Sequence, residues 1–345
     1  MKVYLDASDG LGWAIDDIKN NLLNSFERLD IQRSKNPLSS DLIHNVWWNA
    51  LVPIYKRVPF SFNKVLPTAV NFINLDDENY PLIEEFKKVN SIATAWISPS
   101  TKQQKIFEKY NIKSYVLPYN IDFSIFKHIE SENEKKEIFN KYNLPKELFK
   151  DRVVIGSFQR DSLGADLTKP KWQKGPELLI ELLKSLPKDK FVLLLAGPRR
   201  HYVINECKKY DIPYYYIGNE TKEDDILTNA LDVSEMSNLY NLCDIYLVTS
   251  KSEGGPKAVL ESVTTNTFIM STDTGLASDF IDSKYIFNDL SCYTKELNNF
   301  VNDKSFRLSC QSISNNQYKK ALSKLSYESM DAQLLNIYND ILKVR

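Results

Sequence analysis

From residue 151 onward the chain alternates short, strongly apolar runs with longer stretches whose apolar positions recur every three or four residues. That alternation is the mark of a parallel sheet covered by helices. The apolar runs predict strands at 153–158, 191–196, 214–217, 245–248, 268–271 and 285–287, each followed by a turn or a helix signal. Gly175-Pro176-Glu177 predicts a helix start, because proline suits the first helical position and an acid the first turn. Leu178, Leu179, Leu182, Leu183 and Leu186 then form one face of that helix. Asp232-Val233-Ser234-Glu235 has the form of a capping box ahead of Met236, Leu239, Tyr240 and Leu242.

The first part shows the same alternation less cleanly. It predicts strands at 3–5, 42–46, 68–72, 93–97 and 114–117 and a helix over 14–29. Between 123 and 150 the chain becomes highly charged, with Glu130, Glu132, Glu134, Lys135, Lys136 and Glu137, and loses its strand signal. The residues at 327–344 are again helical, with Leu334, Leu335, Ile337, Tyr338, Ile341 and Leu342 as the apolar stripe. The expected organisation is therefore an N-terminal Rossmann-like domain over 1–125, a connection over 126–150, a second Rossmann-like domain over 151–326, and a helix over 327–345 that packs back on the first domain.

Length and composition agree with this plan. A chain of 345 residues exceeds one ordinary core, and 43% hydrophobic with 26% charged residues is globular composition. The net charge of −1 offers nothing to a nucleic-acid backbone. No run is long and apolar enough to span a bilayer, and the N-terminal residues lack a secretory h-region, so a cytoplasmic protein is expected. The four cysteines, Cys207, Cys243, Cys292 and Cys310, are too dispersed for a zinc or redox motif and read as reduced core residues.

The segment richest in chemistry is Ser252-Glu253-Gly254-Gly255-Pro256-Lys257-Ala258-Val259-Leu260-Glu261. It follows a predicted strand and opens a predicted helix. Free amides and the positive end of a helix dipole meet there, at the carboxyl edge of the sheet, where a phosphate is favoured. The amides of Gly255, Lys257 and Ala258 are donor candidates, and Pro256 is expected at the first helical position. Glu253 projects from the loop and Glu261 from the helix, so the two carboxylates suit hydroxyls on different parts of one ligand.

In its order and spacing the segment resembles family 4 retaining glycosyltransferases of the GT-B fold. Leu239-Tyr240-Asn241-Leu242-Cys243-Asp244 before it, Gln159-Arg160 after the strand at 153–158, Gln173-Lys174-Gly175, the strand-end Gly197 and Gly218, and Ser271-Thr272-Asp273-Thr274-Gly275 fall where that family has its landmarks. The resemblance implies two Rossmann-like domains facing each other across a cleft, with the donor held mainly by the second. It implies that Glu253 contacts the donor sugar and Glu261 the ribose, while Arg160 and Lys174 neutralise the diphosphate and stabilise the leaving group. Basic side chains then replace a divalent cation, and no cofactor or metal is expected. Gly12, in Gly10-Leu11-Gly12-Trp13, matches the first-strand loop that approaches the diphosphate in the family. Where family members carry a histidine near the anomeric centre, this chain has Val70-Asn71-Phe72-Ile73-Asn74, so Asn71, Asn74 or His44 is left to make that contact.

Blander readings stand beside these. His44 at a strand end suits a structural role, and His128 and His201 sit in polar contexts. Trp172 suits the cover of an apolar edge. Trp47 and Trp48, with Tyr55, Arg57, Phe60 and Phe62, fit an acceptor groove or a lipid-facing patch, or simply a packed core. Asp9, Asp16 and Asp17 suit an acceptor hydroxyl or a helix N-terminus. The function expected from the resemblance is transfer of a hexose or N-acetylhexosamine from a UDP- or GDP-sugar to a glycan or glycolipid, in bacterial surface polysaccharide synthesis, with peripheral contact at the inner membrane face. The alternatives are a catalytically degenerate nucleotide- or glycan-binding protein and a sugar-nucleotide epimerase or phosphorylase.

Overall fold

The structure, a computed structural model, describes residues 1–6, 14–54, 56 and 64–343. It divides into two compact units. One comprises Met1–Ile121, Glu253–Gly255 and Ser323–Arg345; the other comprises Asp122–Ser252 and Pro256–Leu322.

The first unit is built on parallel strands. β1 (Lys2–Asp6), β2 (Gln32–Arg33), β3 (Leu42–Asn45) and β4 (Lys64–Pro67) form a sheet in the order β2-β1-β3-β4. β5 (Trp96–Ser98) and β6 (Ser114–Val116) pair separately, and a parallel bridge from Thr68 to Ile97 continues the array. Helices α1 (Ala14–Arg28), α2 (Ile83–Asn90) and α3 (Thr101–Lys109) cover it. The strand expected at 68–72 is instead β4, four residues earlier. Its last residue is Pro67, paired with Asn45; an X-proline step reads as a breaker, yet proline is tolerated where the ladder ends. Beyond Thr68 the backbone turns, with the Val70 amide donating to the Thr68 carbonyl.

An aromatic core fixes this unit. Trp48 and Trp96 are fully buried, their rings edge to face at 6.1 Å, and Phe86 and Phe107 pack against Trp96. Trp48 therefore belongs to the packed core and to no exposed groove, whereas Tyr55, Arg57, Phe60 and Phe62 lie outside the described residues, as does Asp9. Asp16 and Asp17 occupy the first turn of α1, where acids oppose the helix dipole.

The C-terminal helix Tyr327–Lys343 closes the unit. Its Asp331 forms a bidentate pair with Arg28 at 2.6 and 2.9 Å. Its buried Tyr338 meets His44 Nδ1 at 2.7 Å, while His44 Nε2 meets Thr68 Oγ1 at 3.1 Å. Burial holds the imidazole neutral and lowers its pKa from 6.5 to about 3. The unfolded chain takes up a proton at this ring below about pH 6.5 and the folded chain does not, so stability present at neutral pH is lost as the pH falls from 6.5 towards 3. His44→Gln is expected to flatten the pH dependence of the urea midpoint over that window, an effect on the order of a few kcal/mol at its acid end. Parallel curves for the two proteins would show that His44 does not set it.

The second unit is a six-stranded parallel sheet. After α4 (Glu132–Lys141) and α5 (Lys146–Phe149), it runs through β7 (Val153–Ser157), α6 (Pro176–Lys184), β8 (Phe191–Ala196), α7 (His201–Tyr210) and β9 (Tyr214–Ile217). It continues through α8 (Val233–Leu242), β10 (Ile245–Val248), α9 (Lys257–Thr264), β11 (Phe268–Thr272), α10 (Ala277–Phe280), β12 (Ile286–Phe287), α11 (Leu290–Asn302) and α12 (Lys304–Leu325). The sheet order is β12-β11-β10-β7-β8-β9. Every residue of β8 and β10 is buried, as doubly covered parallel strands must be. Asp232 and Glu235 form the capping box at α8. Residues 126–150 fold as part of this unit: Asn241 on α8 accepts from the Ile129 amide and donates to the Lys127 carbonyl. Of the cysteines, Cys207 and Cys310 are buried, Cys243 is partly buried and Cys292 is exposed at the start of α11, so Cys292 is no core residue.

Candidate functional site

The order of strands determines where a ligand site forms. From β7 the chain builds outward through β8 and β9 on one side, then returns to build β10, β11 and β12 on the other. At such a switch the loops after β7 and β10 splay apart, leaving a crevice at the carboxyl edge of the sheet. Both loops carry predicted site residues.

Gln159 and Arg160 follow β7, and Gln159 accepts a 2.7 Å hydrogen bond from Ser250 Oγ, just beyond β10. Lys174 ends a 3-10 turn, Trp172–Lys174, and this turn is tied to the same edge. The Gln173 carbonyl accepts from the amides of Lys251 and Ser252 at 2.8 and 3.3 Å, and the Lys174 carbonyl accepts from Thr249 Oγ1 at 3.2 Å. Gly175 completes the junction in a left-handed conformation, φ +57°, from which a Cβ would lie 2.0 Å from the Thr249 carbonyl oxygen. Only glycine allows that approach. The structure therefore brings the backbone around Arg160 and Lys174 to one edge of the switch point.

Glu261 lies one turn into α9, and its Oε2 accepts a 2.8 Å hydrogen bond from the Tyr240 hydroxyl. Tyr240 is 1% exposed. Burial, and next the charge of Glu261, push its phenol well above the usual range, so it remains a proton donor to the carboxylate. Phe126, Phe158 and Tyr246 surround it, with Tyr246 at 4.8 Å and Phe158 at 5.1 Å between ring centres. The Phe158 amide donates to the Tyr246 hydroxyl at 3.0 Å. This cluster of edge-to-face and tilted rings fixes the hydroxyl that holds one oxygen of Glu261.

At the N-terminus of α9, Lys257 and Ala258 are the first two helical residues, at the positive end of its dipole. Pro256 stands one position earlier than expected, at the N-cap, where ψ of 114° is extended backbone. Glu253–Gly255 packs with the first unit. The closeness that requires glycine at 254 is to protein backbone: a Cβ there would lie 2.4 Å from the Val70 carbonyl oxygen, and Ser100 Oγ donates to the Gly254 carbonyl at 3.1 Å. Beside it, burial and then the charge of Glu253 raise the pKa of Tyr119.

Asn71 is exposed in the first unit, with its amide 3.4 Å from Asn49 Oδ1. Asn74 is half-buried and His44 is buried. Gly12 lies outside the described residues. Among the described residues no three His, Cys, Asp or Glu side chains converge in a metal-ligating group. His128 and His201 lie away from the switch point: His128 Nδ1 meets the Thr265 carbonyl oxygen at 3.1 Å, and His201 lines a cavity of about 40 Å³ with Arg200, Tyr216 and Asp225. That space holds a few waters, not a nucleotide. Sequence reasoning missed the supports of the site: Tyr240 beneath Glu261, and Thr249 and Ser250 joining the loops. Tyr240 was visible as part of the Leu239-Tyr240 landmark, but its task depends on a contact 21 residues away.

The architecture is that of the GT-B fold, and residues 169–321 match the family model described as glycosyl transferases group 1. Among solved structures, HepE of Anabaena, in complex with UDP and glucose, superposes with a TM-score of 0.71 at 14% identity, over 98% of this chain and 99% of HepE. A glycosyltransferase from Rickettsia africae gives 0.67 at 17%, over 100% and 99%. Sucrose-phosphate synthase from Thermosynechococcus elongatus gives 0.65 at 12%, over 95% and 78%. No curated protein matches the sequence.

Proposed function

We propose that the protein is a retaining, metal-independent glycosyltransferase that moves a hexose or N-acetylhexosamine from a UDP- or GDP-sugar to a glycan acceptor in the building of bacterial surface polysaccharide. The observation that carries this reading is the switch-point edge itself. A carboxylate fixed by a buried tyrosine, the positive end of a helix dipole and the segments of two basic residues occur on neighbouring loops. The match to glycosyl transferases group 1 and the UDP and glucose held by HepE support the choice of ligand.

In this reading Glu261 accepts from the ribose hydroxyls, the amides of Gly255, Lys257 and Ala258 face the diphosphate, and Glu253 accepts from the donor sugar. Arg160 and Lys174 oppose the negative charge that grows on the diphosphate as its bond to the anomeric carbon breaks. The acceptor hydroxyl forms its bond on the same face and gives its proton to the departing phosphate oxygen. That step uses no protein nucleophile.

Calorimetric titration with UDP, GDP and ADP in EDTA tests the reading. One diphosphate is expected to bind, and Glu261→Ala to weaken it about ten- to a hundredfold, the worth of a hydrogen bond to a charged group. Failure of all three to bind the folded protein, or equal binding by the variant, would remove the donor site.

A further inference from the structure

Trp172 is 53% exposed, an unusual setting for the largest apolar side chain in a unit whose other aromatic residues are mostly covered. An indole that merely sealed an apolar edge would be buried against it. The backbone around it is, by contrast, closely held. Its carbonyl accepts from the Gly175 amide at 3.1 Å, the Lys171 amide donates to the Asp161 carbonyl at 2.6 Å, and the Gln173 carbonyl accepts from Lys251 and Ser252. Asp161 is anchored in turn: its amide donates to the Arg199 carbonyl at 3.0 Å, and its carboxylate lies 3.0 Å from Arg200 Nε, both side chains buried. The loop is thus pinned at its start to the end of β8 and at its finish to the end of β10. Its exposed ring is presented on a fixed turn two residues from Lys174 and beside the strand end that leads to Glu253.

We infer that Trp172 is an acceptor-binding residue, a platform on which a pyranose ring of the acceptor glycan stacks. The inference rests on the transferase reading above. A pyranose has one face of C–H groups and a rim of hydroxyls, and an exposed indole matches the face. Fixing the ring beforehand limits the entropy lost on binding. A membrane surface fits less well. Interfacial anchoring needs several apolar side chains inserted together, and the only other exposed large apolar residue on this loop is Leu163, at 37%. Lys169, one of the loop's lysines, is paired with Asp166 at 3.4 Å.

The test uses the full chain labelled with 5-fluorotryptophan, the Trp172 resonance being assigned by its loss in Trp172→Phe. With UDP present, soluble oligosaccharides of glucose, N-acetylglucosamine, galactose and mannose are titrated in, and the one that serves as acceptor is used for kinetics. The expected results are a shift of the Trp172 resonance with that oligosaccharide and an acceptor KM raised about tenfold in Trp172→Ala, with UDP affinity unchanged. Trp172→Phe should recover most of the loss. The inference is overturned if none of the oligosaccharides moves the resonance, or if Trp172→Ala leaves the acceptor KM unchanged. It is also overturned if the resonance moves only with vesicles containing anionic phospholipid, which would make the ring a membrane contact. Because UDP binding is measured separately in the same samples, a failure of the donor site is distinguishable from a failure of the platform.

Discussion

Lys174→Ala is expected to lower kcat by about 10²- to 10³-fold, the usual cost of removing one group that stabilises developing charge. The melting temperature is expected to stay within a few degrees. The backbone at this position ties the loops together: the Lys174 carbonyl accepts from Thr249 and the neighbouring Gly175 makes the close approach. Removing the side chain leaves both intact. Lys174→Arg keeps the charge but spreads it over a planar fork, so partial recovery is expected. Steady-state release of the nucleoside diphosphate, with melting curves on the same samples, is the measurement. A fall in kcat of less than tenfold would mean that the leaving group is stabilised elsewhere.

The second large effect concerns stability. Arg200 and Asp161 form an ion pair whose side chains are 1% and 4% exposed, and Arg200 Nη2 also donates to Ser157 Oγ at 3.2 Å. Breaking such a pair leaves a buried charge without its counterion, at a cost of about 3–5 kcal/mol. Arg200→Met is therefore expected to lower the urea midpoint strongly. Burial already raises the pKa of Asp161, with Arg200 the main influence holding it down. Without the arginine the carboxyl rises further. A raised pKa means that the folded form binds the proton more tightly than the unfolded chain, so stability is highest in acid and falls as the pH climbs past the ordinary carboxylate range. The variant should lose more stability at pH 8 than at pH 5, and Asp161→Asn in the same background should erase that difference. Equal losses at both pH values would show that the pair is not what the substitution removes.

The second unit was the more legible half of the fold, for a physical reason. Its strands at 191–196, 214–217 and 245–248 are continuous apolar runs bounded by glycine, proline, charge or, after Val248, by threonine, and the ends observed are the ends the runs predict. The long helix α12 was not singled out. The residues it buries at Cys310, Ser314, Gln317, Ala321 and Leu325 keep helical spacing but are mostly small or polar. Its contact is made partly by hydrogen bonds, as Ser314 Oγ to the Asn266 carbonyl at 2.8 Å shows, and these leave no trace in apolar periodicity. The bonds of Asn241 to the Ile129 amide and the Lys127 carbonyl left no such trace either. In the candidate site, pattern alone put residues 252–261 at a strand-to-helix junction, because topology dictates where such junctions lie, whereas Arg160 and Lys174 were picked out by the family resemblance. The side chains that support them, Tyr240, Thr249 and Ser250, act across gaps in sequence that no local pattern spans.

The bonds from Arg28 to Asp331 and from His44 to Tyr338 also order events during synthesis. The first unit's sheet and its opening helix leave the ribosome long before the helix that seals them. The second unit is made in between and needs none of the last twenty residues for its own sheet. During translation, then, the unit made first must wait, incomplete, until residues 327–343 have emerged. A truncated chain ending before residue 327 should hold a folded second unit and an unsealed first one, which is the state that chaperones would meet.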